Sequence, residues 1–236
     1  MQGGNEEPDY SSHVFFKLNE LKIGQTLPIY FPKKDHKTLP KFLPKEDSDT
    51  IPFSSTRIKF LLNLFQISPT SPQAKAVKAT LVHCEAPPMI GESKFCATSL
   101  ESLLIFVTTE FKPNNNFKVM TTTHVKKSKT HFQNYTINES PEEIVAPQIV
   151  SCHTMPYPYA VYYCHSLKND NKVFKVSLLG ENGDLVKAVG VCHLDTSQWN
   201  IDHVSFKVLG IKPGQGPVCH FVQDDNLVWI PKQDSI

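Results

Sequence analysis

Four Cys-His dipeptides, Cys152-His153, Cys164-His165, Cys192-His193 and Cys219-His220, stand in the C-terminal part of this 236-residue chain, separated by 10, 26 and 25 residues. They hold four of its six cysteines. Successive side chains on a β-strand point to opposite faces. A Cys-His dipeptide on a strand therefore sends its thiol one way and its imidazole the other. Thiols can pair as disulfides on one side while histidines converge on the other. The pattern predicts a stapled scaffold that presents an imidazole site.

Pro156-Tyr157-Pro158 lies midway between the first two cysteines, where proline favours a turn. A turn centred on Pro158 sets Cys152 opposite Cys164. His153 and His165 then become diagonal neighbours on the other face, roughly 7–8 Å apart at Cα and able to lean onto one metal ion. Cys84 and Cys96 enclose 11 residues that include Pro87, Pro88 and Gly91, and read as a loop-closing disulfide worth about 3 kcal/mol. The other four cysteines allow three connectivities, which stay open at this point.

A zinc site built from Cys and His shows ligands two to four residues apart; no Cys-x-x-Cys occurs here, which argues against structural zinc. His13, His36, His83, His124, His131 and His203 read as surface or core residues. If the thiols are oxidised, the donor set is imidazole. Zn, Cu, Fe and Ni all accept it, with Cu(II) the tightest of them. The chain has no Walker loop, dinucleotide fingerprint or nucleophile elbow, and Asp224-Asp225 reads as turn chemistry.

Composition closes other routes. With 24 Lys and Arg against 23 Asp and Glu, the formal charge is +1, which makes no case for nucleic acid, and Lys126-Lys127-Ser128-Lys129 is too short to change that. No apolar run approaches the roughly 18 residues of a membrane span, so no membrane partner is expected. Met1 to Asn5 lacks a signal-peptide core, yet an even cysteine count fits an oxidising compartment. Asn134-Tyr135-Thr136 is a glycosylation acceptor, and Asn138-Glu139-Ser140 a weaker one before Pro141. The expectation is a secreted protein whose signal has been removed.

Along the chain, residues 1–13 read as a mobile polar tail and 14–236 as one α+β domain, helical in its N-terminal half and β-rich in its C-terminal half. Phe31 to Phe53, with Pro32, Pro40, Pro44 and Pro52, reads as an extended connector packing through Leu39, Phe42 and Leu43. Helices are predicted over Arg57–Gln66, from Pro72 to about Leu81 with Ser71 as N-cap, and from a Thr98-Ser99-Leu100-Glu101 capping box through Phe106 or beyond. After Lys118 the character turns to β. Asn182-Gly183 joins two strands as a hairpin. A second hairpin is expected to join Val218–Val222 to Leu227–Ile230 through Asp224-Asp225-Asn226.

The spacing of the four Cys-His dipeptides resembles the signature of the plant BURP-domain family. Phe15-Phe16 resembles that family's opening, Cys84 and Cys96 its upstream cysteine pair, and Val218-Cys219-His220-Phe221 with Val228-Trp229-Ile230-Pro231 its closing segment. Some members are copper- and dioxygen-dependent peptide cyclases that join a Trp or Tyr side chain to a carbon of a short core peptide. The resemblance implies copper as cofactor, with His153, His165, His193 and His220 as its ligands and as the catalytic set. It also puts Cys152, Cys164, Cys192 and Cys219 in disulfides that position them. The chain shows no repeated segment, and Asn5 to Tyr10 offers a single conceivable core ending in an aromatic. A precursor peptide supplied in trans is the expected partner, with a non-catalytic secreted protein of cell wall or seed as the alternative.

Overall fold

A computed structural model describes residues 9–113, 116–146, 148–167 and 171–232. Most of the expected tail and of the Asn5–Tyr10 core lies outside them. In chain order come β1 (Phe15–Phe16), β2 (Thr26–Tyr30), α1 (Lys45–Thr50), α2 (Ile58–Leu64), α3 (Pro72–Glu85), β3 (Glu92–Ala97) and α4 (Leu100–Phe111). Then follow β4 (Phe117–Met120), β5 (Thr123–Lys126), β6 (Phe132–Ile137), β7 (Glu142–Ile144), β8 (Val150–Met155) and β9 (Val161–Leu167). The chain closes with β10 (Asn171–Gly180), β11 (Leu185–His193), α5 (Val204–Leu209), β12 (Val218–Phe221) and β13 (Leu227–Pro231). These elements form two compact units, one of residues 1–33, 121–145 and 170–224, the other of 34–120, 146–169 and 225–236.

The first unit is a sheet in the order β1-β12-β11-β10-β6-β2, with β5 also pairing β11 and β7 pairing β10. Its spine is the hairpin expected at Asn182-Gly183. Gly183 adopts φ +83°, a left-handed conformation that favours glycine, and the Asp184 N–H donates to Asn182 Oδ1 at 2.9 Å. The inward faces of the strands meet in a core of Phe16, Leu27, Ile29, Tyr135, Ile137, Val176, Leu178, Val186 and Phe221.

Beside that core sits a buried polar group. Lys33 donates from Nζ toward His124 Nδ1 at 3.4 Å and pairs with Asp184 at 3.5 Å. The His124 side chain is 5% exposed. Burial and then the Lys33 charge push the His124 pKa down to about 4. The unfolded chain takes up a proton near pH 6.5 and the folded one only near 4, so this contribution is complete above pH 6.5 and is lost as pH falls toward 4. Between pH 7 and 5 it amounts to about 1–2 kcal/mol. His124→Gln is expected to flatten the fall in stability over that interval, read by urea unfolding at each pH; an unchanged slope would refute the assignment.

The second unit carries a sheet in the order β3-β9-β8-β13-β4. Helix α3 starts as the sequence predicts, with Ser71 Oγ accepting the Ala74 N–H at 3.1 Å and Pro72 in the first turn. It runs past Leu81 to Glu85, and Pro87-Pro88 follow its end. Cys84, in its last turn, bonds Cys96 of β3. Helix α4 is capped one residue later than expected. Ser99 and Ser102 exchange side-chain bonds with each other's backbone N–H at 3.1 Å, which sets Leu103, Val107 and Phe111 on the buried face. That face packs on Ala97, Val150 and Trp229.

Three expectations are corrected. The N-terminal half is not simply helical, because β1, β2 and β3 belong to it. β2 is disguised by Pro28, which an edge strand tolerates; among the described residues it pairs only with β6. The staples divide between the two units: the disulfides Cys84–Cys96 and Cys152–Cys164 lie in the second and Cys192–Cys219 in the first. The connector from Phe31 to Phe53 contains a helix, α1, with Glu46 and Asp47 at its N-terminal turn, where acidic side chains favour the helix dipole. The second hairpin does not form either. β12 pairs with β1 and β11, whereas β13 pairs with β4 and β8. Asp224 and Asp225 form a turn where the chain leaves the first unit.

Candidate metal centre

Each Cys-His dipeptide lies on a strand. In the second unit, β8 and β9 pair with Cys152 opposite Cys164, Ser151 opposite His165 and His153 opposite Tyr163. This is the register of a turn centred on Pro158. Both cysteines are fully buried in the core and disulfide-bonded. The histidines, one residue on, face away from it. His153 Nε2 and His165 Nε2 lie 3.3 Å apart, with their rings inclined by 27°.

The first unit repeats the arrangement with different strands. β11 and β12 pair with Cys192 opposite Cys219, Val191 opposite His220 and His193 opposite Val218. The cysteines are bonded and fully buried. His193 Nε2 and His220 Nε2 lie 3.4 Å apart, their rings inclined by 20°. A cross-strand disulfide with a histidine after each cysteine thus yields a diagonal imidazole pair on the opposite face, whichever strands carry it.

Hydrogen bonds order the ring protons. Asn226 Oδ1 accepts the Thr154 N–H at 2.9 Å, which turns its amide NH2 toward His153 Nδ1 at 3.3 Å. The His153 tautomer that suits this amide donor carries its proton on Nε2, facing His165 Nε2. On the far side, His165 Nδ1 faces Glu92 Oε1 at 3.4 Å. Burial would push the Glu92 carboxyl up, but contacts from His165, the Met89 N–H and the Tyr163 hydroxyl hold it below its ordinary value. In the other pair, His193 Nδ1–H donates to Asn171 Oδ1 at 2.7 Å, leaving its Nε2 to accept from His220. Trp199 lies against His193 at 5.1 Å between centroids, and Phe15 meets His220 edge-on at 6.2 Å.

Two imidazole nitrogens bound to one ion at ~2.0–2.1 Å, at an angle of about 90–110°, are separated by about 2.9–3.4 Å. Both observed pairs fall in that range, and thiols sealed in disulfides leave nitrogen as the donor. The residues fit a metal that accepts imidazole. Among the described residues, no group of three or more His, Cys, Asp or Glu side chains that could hold one ion is found; the recurring element is the pair.

Other sequence-derived candidates fall elsewhere. Asn134 is exposed on β6, its Nδ2 donating to Glu181 Oε2 at 3.3 Å. His203 caps α5, accepting the Ser205 N–H, and burial lowers its pKa. His83 packs edge-on to Tyr163 at 4.5 Å. Asp225 is held by Lys34 and by Thr154 Oγ1 at 3.0 Å. The sequence reading missed Glu92, Asn171 and Asn226. For Asn171 a signal existed: the hairpin register about Asn182 puts residue 171 opposite His193, as observed.

No described helix is long and apolar enough to cross a membrane. The three disulfides fit a secreted protein. The BURP domain model matches residues 14–231, spanning all four dipeptides. Over 232 residues the chain is 47% identical to BURP domain-containing protein BNM2A of Brassica napus, covering 96% of this chain and 82% of that protein. It is equally identical to BURP domain protein USPL1 of Arabidopsis thaliana, covering 83% of it. BURP domain protein RD22 of the same plant is 37% identical over 223 residues, 94% of this chain and 56% of that protein. By its dipeptide spacing, its match to the family model and its plant relatives, the chain belongs to the BURP-domain family.

Proposed function

We propose that this protein is a copper-dependent oxidative peptide cyclase of the secretory pathway, located in the apoplast or vacuole and acting on a peptide supplied in trans. The observation that carries this is the duplicated imidazole pair, with Nε2 atoms 3.3 and 3.4 Å apart. An imidazole donor set suits copper above the other divalent ions of its row. His153, His165, His193 and His220 are the residues that would hold it. Bound copper supplies one-electron chemistry with dioxygen, which redox-inactive zinc does not.

The overall reaction balances as loss of two hydrogens from the peptide, one from a Tyr or Trp side chain and one from a carbon elsewhere, as a bond forms between the two positions. Dioxygen takes up those two electrons and two protons as hydrogen peroxide. The chain's own residues hold and orient. Two disulfides fix the strand registers beneath the imidazoles, while Asn226, Glu92 and Asn171 set the ring protons. Placing the Nε2 lone pairs toward an ion requires the protons on His153 and His220 Nε2 to move to Nδ1, and because the ion competes with protons for imidazole nitrogen, metal uptake weakens as pH falls. The exposed Asn134 amide is available for glycosylation in that pathway.

Purified protein incubated with Cu(II), air and Tyr- or Trp-containing peptides tests this by mass spectrometry. The expected product is two hydrogens lighter than the peptide and requires both copper and dioxygen. The three disulfides by themselves also suit a non-catalytic secreted protein of cell wall or seed. Absence of copper uptake together with absence of product would favour that reading.

A further inference from the structure

Glu92 opens β3, and its side chain is 3% exposed. The carboxylate is held from two directions. Oε2 accepts the Met89 N–H at 2.9 Å, and Oε1 accepts the Tyr163 hydroxyl at 3.0 Å. The same Oε1 lies 3.4 Å from His165 Nδ1. Tyr163 also stacks on the His165 ring, at 5.3 Å and 25°. The Lys94 ammonium bonds the His83 carbonyl oxygen at 3.1 Å and lies over the Tyr163 ring at 5.6 Å. A buried carboxylate is costly unless its oxygens are hydrogen-bonded, and this one turns an oxygen to the imidazole atom remote from the ligating nitrogen.

We propose that Glu92 is a positioning residue for His165. It takes the Nδ1–H and so fixes the tautomer whose Nε2 lone pair points toward His153. Tyr163 and Met89 prevent the carboxylate from turning away. Its negative charge raises the basicity of Nε2, the role that outer carboxylates play behind metal-bound histidines. The long 3.4 Å contact is free to shorten when Nε2 takes up a cation and the Nδ1–H becomes more acidic. As an effect on metal binding this rests on the copper reading above; as an effect on the tautomer it does not.

Glu92→Ala and Glu92→Gln test it, with Cu(II) alone as the probe. Ala removes both acceptor oxygens. Gln keeps one but must turn its NH2 toward either Met89 N–H or His165, placing two donors face to face. The Cu(II) dissociation constant is expected to rise ten- to hundredfold in the Ala variant and by less in Gln, which also serves if Ala does not fold. In the metal-free protein at pH 8, nitrogen-15 shifts are expected to report Nδ1–H at His165 in the parent and a tautomer mixture in the variants. If the parent takes up no Cu(II) but the tautomer shifts as expected, the copper reading fails and the positioning role stands. A parent that binds Cu(II), with folded variants that bind it equally and keep the parent's tautomer, would overturn the positioning role alone.

Discussion

Replacing His153, His165, His193 or His220 with alanine is expected to lower bound copper and to reduce peptide crosslinking by more than about a hundredfold, beyond the 10–100-fold typical of outer-shell changes. The fold should survive, because each imidazole points away from the core that its neighbouring cysteine enters. His153, His165 and His220 are only partly buried. His193 is 5% exposed and packs on Trp199, so its variant should be the least stable of the four. Losing one member of a pair leaves a single Nε2 where two lay within 3.4 Å, and the affinity gained from two donors on one ion goes with it. Copper content by atomic emission, crosslinking by mass spectrometry and far-ultraviolet circular dichroism read the three consequences. Four folded variants with full copper and full activity would sink the assignment of these residues.

The second large effect is on stability. Cys192 and Cys219 are 27 residues apart, whereas Cys152 and Cys164, like Cys84 and Cys96, are 12 apart. In the chain-entropy account, a cross-link stabilises more when it closes a longer loop, so removal costs about 3.5 kcal/mol for the first and about 3 kcal/mol for the others. Paired Cys→Ala replacements leave no stray thiol and isolate that effect. The Cys192/Cys219 variant should show the largest shift in urea midpoint. The Cys152/Cys164 variant should additionally loosen the His153–His165 pair, since the disulfide joins the residues directly behind it; weaker copper binding should accompany its lower stability. The Cys84/Cys96 variant, whose bond ties α3 to β3, should lose stability of similar size with less effect on copper. Indistinguishable unfolding curves for all three and the parent would contradict the account.

Much of the centre is local and was legible. A dipeptide on a strand has no choice about sending adjacent side chains to opposite faces, so oxidised thiols inward and imidazoles outward followed from the period of two. The Pro156-Tyr157-Pro158 turn set the register of β8 against β9, and Asn182-Gly183 set that of β10 against β11. Ser71-Pro72 marked the start of α3 because a cap and a first-turn proline are short-range requirements. The family resemblance supplied what periodicity could not, namely the expectation of copper.

The second pair shows where local reasoning stops. Cys192 and Cys219 meet because β12 lies beside β11, and 26 residues including α5 separate them. The expected partner of β12 was β13, its neighbour in sequence, but β13 fills a place between β8 and β4 of another sheet. Short strands do not carry enough alternation to choose a partner; burial of their apolar faces in two separate cores makes that choice. Pro28 concealed β2 for a related reason, since only pairing on one side makes a strand proline acceptable. Glu92 is the sharpest instance. Nothing in Gly91-Glu92-Ser93 marks a carboxylate that serves a histidine 73 residues later. Antiparallel pairing of β3 with β9 brings it there, and a neighbour chosen through sheet order has no sequence period to announce it. By itself, then, the sequence determined which face of each strand holds sulfur and which holds imidazole. The tertiary structure decided which strands meet, and with them which acceptors stand behind the histidines, because pairing across sheets depends on burying whole faces rather than on the residues next in line.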